Sequence, residues 1–351
     1  MAIDSIAHRC PSVTNQAAHD PCLFALSESH ELGLAIAESC GLTLASLEER
    51  RFEDGEFKLR PLESVRARTA FVLQTLAGTA DAPVAERLIR LLFLMSGLRD
   101  AGASVRIALV PYLAFARKEQ RTQMRDPVNT RYIALLLEAS GVDRLIALDV
   151  HSPAALDNAF RIPVDHLTAL PMMVDYFATR LGNASLAVAS PDIGGVKRVQ
   201  LFRELLEARL GRAVELAFIE KRRAQGVVSG GRLIGDIAGR SVIVLDDLCA
   251  TGGTLIRAAE ACRRAGATSV QVAVTHMPIT AGLRALGKSA DIDGIVTTDS
   301  VGIDFHPPSS RPDGKLVTLS TAPLFGGVLR RLMAGKPVAA LLRQWPVPFE
   351  E

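Results

Sequence analysis

Apolar residues along this chain fall in short runs, and the segments between them carry a helical period. The runs Ala70–Leu73, Val105–Val110, Arg144–Val150, Leu186–Ala189, Glu215–Ile219, Val242–Leu245, Val270–Thr275 and Gly294–Thr297 predict strands. Ala85–Ala101, Thr130–Ser140, Val196–Leu210 and Thr254–Ala265 predict helices. Several helices stop at a glycine, namely Gly102, Gly141 and Gly266, the residue that most easily leaves a helix end in a left-handed turn. Alternation of this kind predicts parallel sheets covered by helices, an α/β fold. Because helix, glycine and strand recur in both halves, the pattern predicts two doubly wound domains of similar build. Ile162-Pro163-Val164 interrupts it, which sets the boundary near Arg161–His166. The expected division is 1–165, 166–325, and a C-terminal helix and tail over 326–351 that packs back on the first domain. No low-complexity linker separates the halves, so a site between closely packed domains is expected.

Bulk composition narrows the classes further. The 351 residues are 48% hydrophobic and 22% charged, a globular balance with ample material for two cores. Forty basic against 38 acidic residues leave a net charge of +2, so neither nucleic acid nor a membrane surface is an expected partner. No run of about 18 apolar residues reads as a membrane span. The start, Met1 to Gln16, lacks the apolar stretch of a signal peptide. The five cysteines contain no C-x-x-C pair, which suits free thiols in a reducing cytoplasm.

In doubly wound sheets ligands collect beyond the carboxyl ends of strands, so polar residues that follow apolar runs carry the candidate chemistry. The strongest is Val242-Ile243-Val244-Leu245 followed by Asp246-Asp247-Leu248-Cys249-Ala250-Thr251-Gly252-Gly253-Thr254. Glycines let backbone approach an anion, the helix start presents free N–H groups, and threonines add hydroxyl donors. The two carboxylates accept hydrogen bonds from neighbouring hydroxyls, so the segment reads as a ribose-phosphate cradle. Asp149 and His151 stand at i and i+2 beyond another run, with His151 suited to a metal or a phosphate. Asp192, in Ser190-Pro191-Asp192-Ile193-Gly194-Gly195-Val196, reads equally as a Mg²⁺ carboxylate or as a helix cap. Lys221-Arg222-Arg223 precedes a Gly/Ser loop from Gly226 to Gly231 and reads as a mobile clamp on polyphosphate or as a solvated face. Arg117 and Lys118 belong to a basic stretch that is an anion site or a solvated helix face. Phe52, Asp54 and Glu56 read from composition as a polar turn. Cys249 reads as a small loop residue.

Taken in order, Arg51-Phe52-Glu53-Asp54-Gly55-Glu56, Pro111-Tyr112 with Ala116-Arg117, Asp149-Val150-His151, the Ser190–Val196 motif, Glu220-Lys221-Arg222-Arg223 and the Asp246–Thr254 loop resemble the ribose-phosphate pyrophosphokinase family. The resemblance runs from about Pro21 to Leu342. It implies two domains of the type I phosphoribosyltransferase kind, the first on the ATP side and the second binding ribose 5-phosphate. It also implies transfer of the β,γ-diphosphoryl group of Mg-ATP to the 1-hydroxyl of ribose 5-phosphate, with release of AMP, by a homo-oligomer. Carried over residue by residue, Phe52, Asp54, Glu56, Arg117 and Lys118 would hold ATP, and His151 and Asp192 would serve Mg²⁺. Asp246 and Asp247 would take the ribose hydroxyls, and Thr251, Gly252, Gly253 and Thr254 the 5′-phosphate. Lys221 and Arg223 would stabilise the transferring group as the catalytic residues.

The chain also departs from the family pattern. Ala250 replaces an acidic residue before Thr251, Lys118-Glu119 replaces Gln-Asp, Ser152–Ala155 replaces a Gln-containing stretch, and an Asn-Asp expected near Ala80–Ala82 is missing. Two other readings therefore stand beside the main one: the same chemistry on a different ribosyl acceptor, and a catalytically poor nucleotide-binding paralogue that regulates a partner.

Overall fold

A computed structural model describes residues 21–79, 81–224, 227–302 and 314–342, with backbone alone at 221–224, 227–231, 340 and 342. In the first half, β1 (Cys22–Ala25) and α1 (His30–Cys40) precede a hairpin of β2 (Leu47–Arg51) and β3 (Phe57–Pro61). Then come β4 (Thr69–Leu73), α2 (Val84–Asp100), β5 (Val105–Val110), α3 (Asn129–Ala139), β6 (Arg144–Leu148), α4 (Pro153–Ala159) and β7 (Val164–Leu167). The second half runs α5 (Leu170–Arg180), β8 (Leu186–Ser190), α6 (Val196–Leu210), β9 (Glu215–Ala224), β10 (Val227–Ile234), β11 (Ser241–Leu248) and α7 (Gly253–Arg264). It closes with β12 (Ser269–His276), α8 (Thr280–Lys288), β13 (Gly294–Thr298), β14 (Leu316–Leu319) and α9 (Ala322–Met333).

Two main sheets result, β1-β4-β5-β6-β7 and β10-β9-β8-β11-β12-β13-β14. Every neighbouring pair is parallel except β9 with β10. The fold class is thus α/β with doubly wound parallel sheets. All eight expected strands form, because runs such as Ile107–Val110 and Val242–Leu245 are buried throughout and such strands need helices on both faces. The expected boundary after residue 165 falls inside β7, which pairs with β6 from Leu145↔Val164 to Leu148↔Leu167. The first sheet therefore extends to Leu167.

One apolar core joins the facing sides of the sheets. Phe71, Leu109 and Ile146 of the first belong to the same cluster as Val188, Ile243 and Val296 of the second, with Phe177 of α5 and Phe202 of α6 between. The C-terminal helix α9 packs on α1 of the first half, where Ser39 Oγ donates to the carbonyl of Ala322 at 3.3 Å and Arg330 donates to that of Ser39. A side chain at Gly326 would lie 2.1 Å from Ser39 Oγ, so the helices meet this closely only over glycine.

Polar contacts fix the two halves behind the strand ends. Asp149 adopts a left-handed backbone with φ of 38° and its buried Oδ2 accepts from Ala169 N at 3.0 Å and Thr275 Oγ1 at 2.6 Å. His276 Nε2 donates to the carbonyl of Leu148 at 3.0 Å, and Thr75 Oγ1 donates to that of Ser300 at 2.8 Å. Burial holds the His276 imidazole below its ordinary range, keeping it neutral.

Candidate active site

The carboxyl ends of β5 and β6 in one sheet and of β8 and β11 in the other face a shared cavity of about 740 Å³. Strand β11 delivers Asp246 and Asp247, and a four-residue loop leads into α7. At its end Gly252 has φ of 83°, and a Cβ there would stand 3.2 Å from the carbonyl oxygen of Gly282. Only glycine turns the chain here while staying against α8. Thr251, Gly252 and Thr254 line the cavity, and Gly253 opens α7 among them.

The carboxylate pair sits in a charge network. His151 Nδ1 stands 2.9 Å from Asp247 Oδ2, and Arg198 Nη1 stands 3.2 Å from Asp247 Oδ1 and 3.4 Å from Asp246 Oδ1. Asp247 N donates to Asp246 Oδ1 at 2.9 Å. Burial opposes ionisation of Asp247, but the hydrogen bond from His151 and the Arg198 guanidinium outweigh it and hold the carboxyl below its usual range. For Asp246 burial prevails, helped by the adjacent Asp247, and its proton is held more tightly. The hydrogen bond to Asp247 raises His151. An ionised Asp247 only accepts, so Nδ1 carries a proton, and in the neutral imidazole Nε2 has the lone pair.

Of the residues singled out by sequence, Arg117, His151, Asp192, Asp246, Asp247, Thr251, Gly252 and Thr254 come together here. Asp192 joins its two readings: Oδ1 accepts from Gly195 N at 3.3 Å as a cap, and the residue lines the cavity. Burial pushes the Cys249 thiol up to about 12, consistent with a small loop residue and not a nucleophile. Among the described residues, no three His, Cys, Asp or Glu side chains form a preformed metal cluster.

Other expectations change. Asp149 does not share a strand face with His151, because β6 ends at Leu148 and the carboxylate turns inward to Thr275. Lys118 does not line the cavity; its Nζ donates to Asp126 Oδ2 and, at 2.9 Å, to Thr122 Oγ1. Phe52, Asp54 and Glu56 lie on the turn between β2 and β3, outside the cavity. There Phe52 N donates to the carbonyl of Glu56 and Glu56 N to Asp54 Oδ1, and Arg50 stacks on the Phe52 ring at 4.9 Å. Lys221 and Arg223 fall in β9 by backbone, and their side chains lie outside the described ones. The segment expected as a Gly/Ser loop is largely strand: β10 begins at Val227, with Val228 opposite Arg223, and the register shifts between Ser229 and Arg232 where Gly230-Gly231 sits.

Arg198 was not legible as a site residue. Its only signal is a cation one turn beyond Gly194-Gly195 in a helix aimed at two carboxylates. Glu119, Gln120 and Ser152 also line the cavity.

Comparison with known proteins agrees over the whole described fold. Residues 21–141 match the N-terminal domain of ribose phosphate pyrophosphokinase, and residues 172–306 match the phosphoribosyl transferase domain. The ribose-phosphate pyrophosphokinase of Caldanaerobacter subterraneus subsp. tengcongensis is 34% identical over 320 residues, covering 91% of this chain and 96% of that protein. That of Bacillus caldolyticus is 33% identical over 324 residues, covering 92% and 98%. The crystal structure of phosphoribosylpyrophosphate synthetase from Mycobacterium smegmatis superposes with a TM-score of 0.80 at 29% identity, covering 90% of this chain and 99% of that one. By these matches along both halves, the chain is an enzyme that belongs to the ribose-phosphate pyrophosphokinase family.

Proposed function

We propose that this enzyme transfers the β,γ-diphosphoryl group of Mg-ATP to the 1-hydroxyl of ribose 5-phosphate, giving phosphoribosyl diphosphate and AMP, and that it works as a homo-oligomer. The observation that carries the reading is the convergence, in one cavity, of a phosphate-type loop, two carboxylates and a carboxylate-supported histidine. The N–H groups and hydroxyls of residues 251–254 suit the 5′-phosphate. Asp246 and Asp247 suit the ribose diol, and Arg117 suits the triphosphate. Lys221 and Arg223 are proposed to stabilise charge on the transferring group, and Phe52, Asp54 and Glu56 to hold the adenine side.

The residues present fit a divalent cation. With Nδ1 committed to Asp247, His151 offers Nε2 to a metal in the manner of second-sphere-supported histidines, and Asp192 adds a hard oxygen. Mg²⁺ held there supplies neutralisation of polyphosphate charge. What this chain itself does is position the acceptor hydroxyl and the phosphorus in line, which is most of what phosphoryl transfer requires.

Incubating the protein with ATP, Mg²⁺ and ribose 5-phosphate and following phosphorus NMR tests the reading. AMP and a sugar diphosphate in equal amounts are expected; no turnover with nucleotide still bound would overturn it. A second reading, the same chemistry on another ribosyl acceptor, draws on Ala250, which lines the cavity at a position where the family pattern has an acid. Exclusive use of ribose 5-phosphate in an acceptor comparison removes it.

A further inference from the structure

Glu119 lines the cavity together with Arg117, Gln120 and His151. Its Oε2 is shut off from solvent and receives no hydrogen bond among the described residues. A carboxylate oxygen taken out of water without a donor is costly, and native folds rarely tolerate one without a reason. Among the described residues, two nearby cations are otherwise engaged: Arg198 is taken by Asp246 and Asp247, and Lys118, the adjacent cation, is turned away to Asp126. An unsatisfied hard oxygen lining the same cavity as the His151 imidazole is a donor set for a divalent cation.

We propose that Glu119 is a further cation-holding residue of this site, acting with His151 on the metal that accompanies the nucleotide. The inference rests on the proposed use of Mg-ATP, and Mg²⁺ would draw its remaining ligands from phosphate oxygens and water. It also gives the Lys118–Asp126 pair a purpose: an ammonium left free beside Glu119 would compete with the metal for the same oxygen.

The test is Mn²⁺ binding followed by electron paramagnetic resonance, with the full chain and α,β-methylene ATP, a nucleotide whose α–β bridge cannot be broken. Glu119→Gln keeps size and removes charge, and Glu119→Asp keeps charge and shortens reach. Expected is roughly tenfold weaker Mn²⁺ binding in the Gln variant, the low end of what loss of a group supporting a metal costs, partial recovery in the Asp variant, and unchanged melting temperatures. Nucleotide binding measured in EDTA should be the same in all three proteins. Wild-type Mn²⁺ affinity in the Gln variant overturns the inference, and so does an equal loss of metal-free nucleotide binding, which would make Glu119 a direct contact to the nucleotide. If the wild type makes no sugar diphosphate yet the Gln variant loses Mn²⁺, the acceptor assignment fails and Glu119 stands. If the wild type turns over and the Gln variant binds Mn²⁺ normally, Glu119 fails and the reaction stands.

Discussion

Asp247 carries the electrostatics of the site, because one oxygen faces His151 and the other Arg198. Two consecutive carboxylates at a strand end would repel each other, and Arg198 is the group that makes the arrangement tolerable. Replacing it by methionine leaves mostly buried negative charge without its partner, so Arg198→Met should lose roughly 1.5–3 kcal/mol of stability, read by denaturant unfolding. It should also lose about 10²-fold in kcat/KM for ribose 5-phosphate through misplacement of both carboxylates; a variant as stable and active as wild type would remove Arg198 from the network. Arg198→Lys restores charge but not a fork that spans two acceptors, so its stability should recover further than its activity. His151 gives a pH signature. Its folded-state pKa is raised, so its contribution to stability is complete below the unfolded value of about 6.5 and fades as pH climbs through the higher folded value. Proton NMR titration should find His151 above that reference, and Asp247→Asn should bring it down; a His151 that titrates unchanged in the Asn variant would contradict the pairing.

At the scale of elements, what was legible depended on whether the chemistry lay in one contiguous stretch. The loop after β11 combines strand end, carboxylates, turn glycine and helix start within nine residues, so its pattern could be read directly. Arg198 and Glu119 gain meaning only from partners far away in sequence, and nothing local in Lys197-Arg198 or Lys118-Glu119 announces them. The fold was legible in the same measure. Apolar runs stood out even at four residues, while β2 (LEERR) and β3 (FKLRP) carry no apolar run to read, and β10 was hidden by Gly230-Gly231 in a ribbon whose register slips there. The stretch after β5 shows a local order that composition concealed: Asp126 gathers Lys118 Nζ, Thr122 N, Thr122 Oγ1 and Gln123 N, and these hydrogen bonds, Lys118 first, hold its carboxyl well below the usual range. Asp126→Ala should therefore speed amide exchange at Thr122 and Gln123 and raise the KM for ATP by releasing Lys118 toward Glu119. Unaltered exchange would show that the turn stands without it. On the β9–β10 ribbon, Lys221→Ala should cut turnover by roughly 10³-fold, the scale of removing a cation from a transferring phosphoryl group, with circular dichroism unchanged. A normal rate would end the clamp assignment.

Across the whole molecule, the two sheets are joined by a shared core and by Asp149, Thr275 and His276 behind the cavity, so packing and hydrogen bonds tie together the site walls of both halves. Against that joined frame the position of the β2–β3 turn stands out. Phe52 is 39% exposed and, with Asp54 and Glu56, lies outside the cavity of its own chain. If this turn, held by its own backbone hydrogen bonds, holds the nucleotide as proposed, the proposed homo-oligomer offers a route, with the turn reaching the cavity of a neighbouring copy. The consequence is measurable by mixing two impaired proteins. Phe52→Ala keeps an intact cavity and spoils the turn; His151→Ala keeps an intact turn and spoils the cavity. Each alone should be poorly active. Subunits exchanged by mild dissociation and reassembly should regain activity, because some cavities of the Phe52→Ala chain then meet turns of the His151→Ala chain. If turn and cavity instead work within one chain, no mixture contains a complete site and activity stays at the level of the separate variants. Activity recovered in the mixture, and lost again when both substitutions are placed in the same chain, would assign the adenine side of each site to the partner subunit.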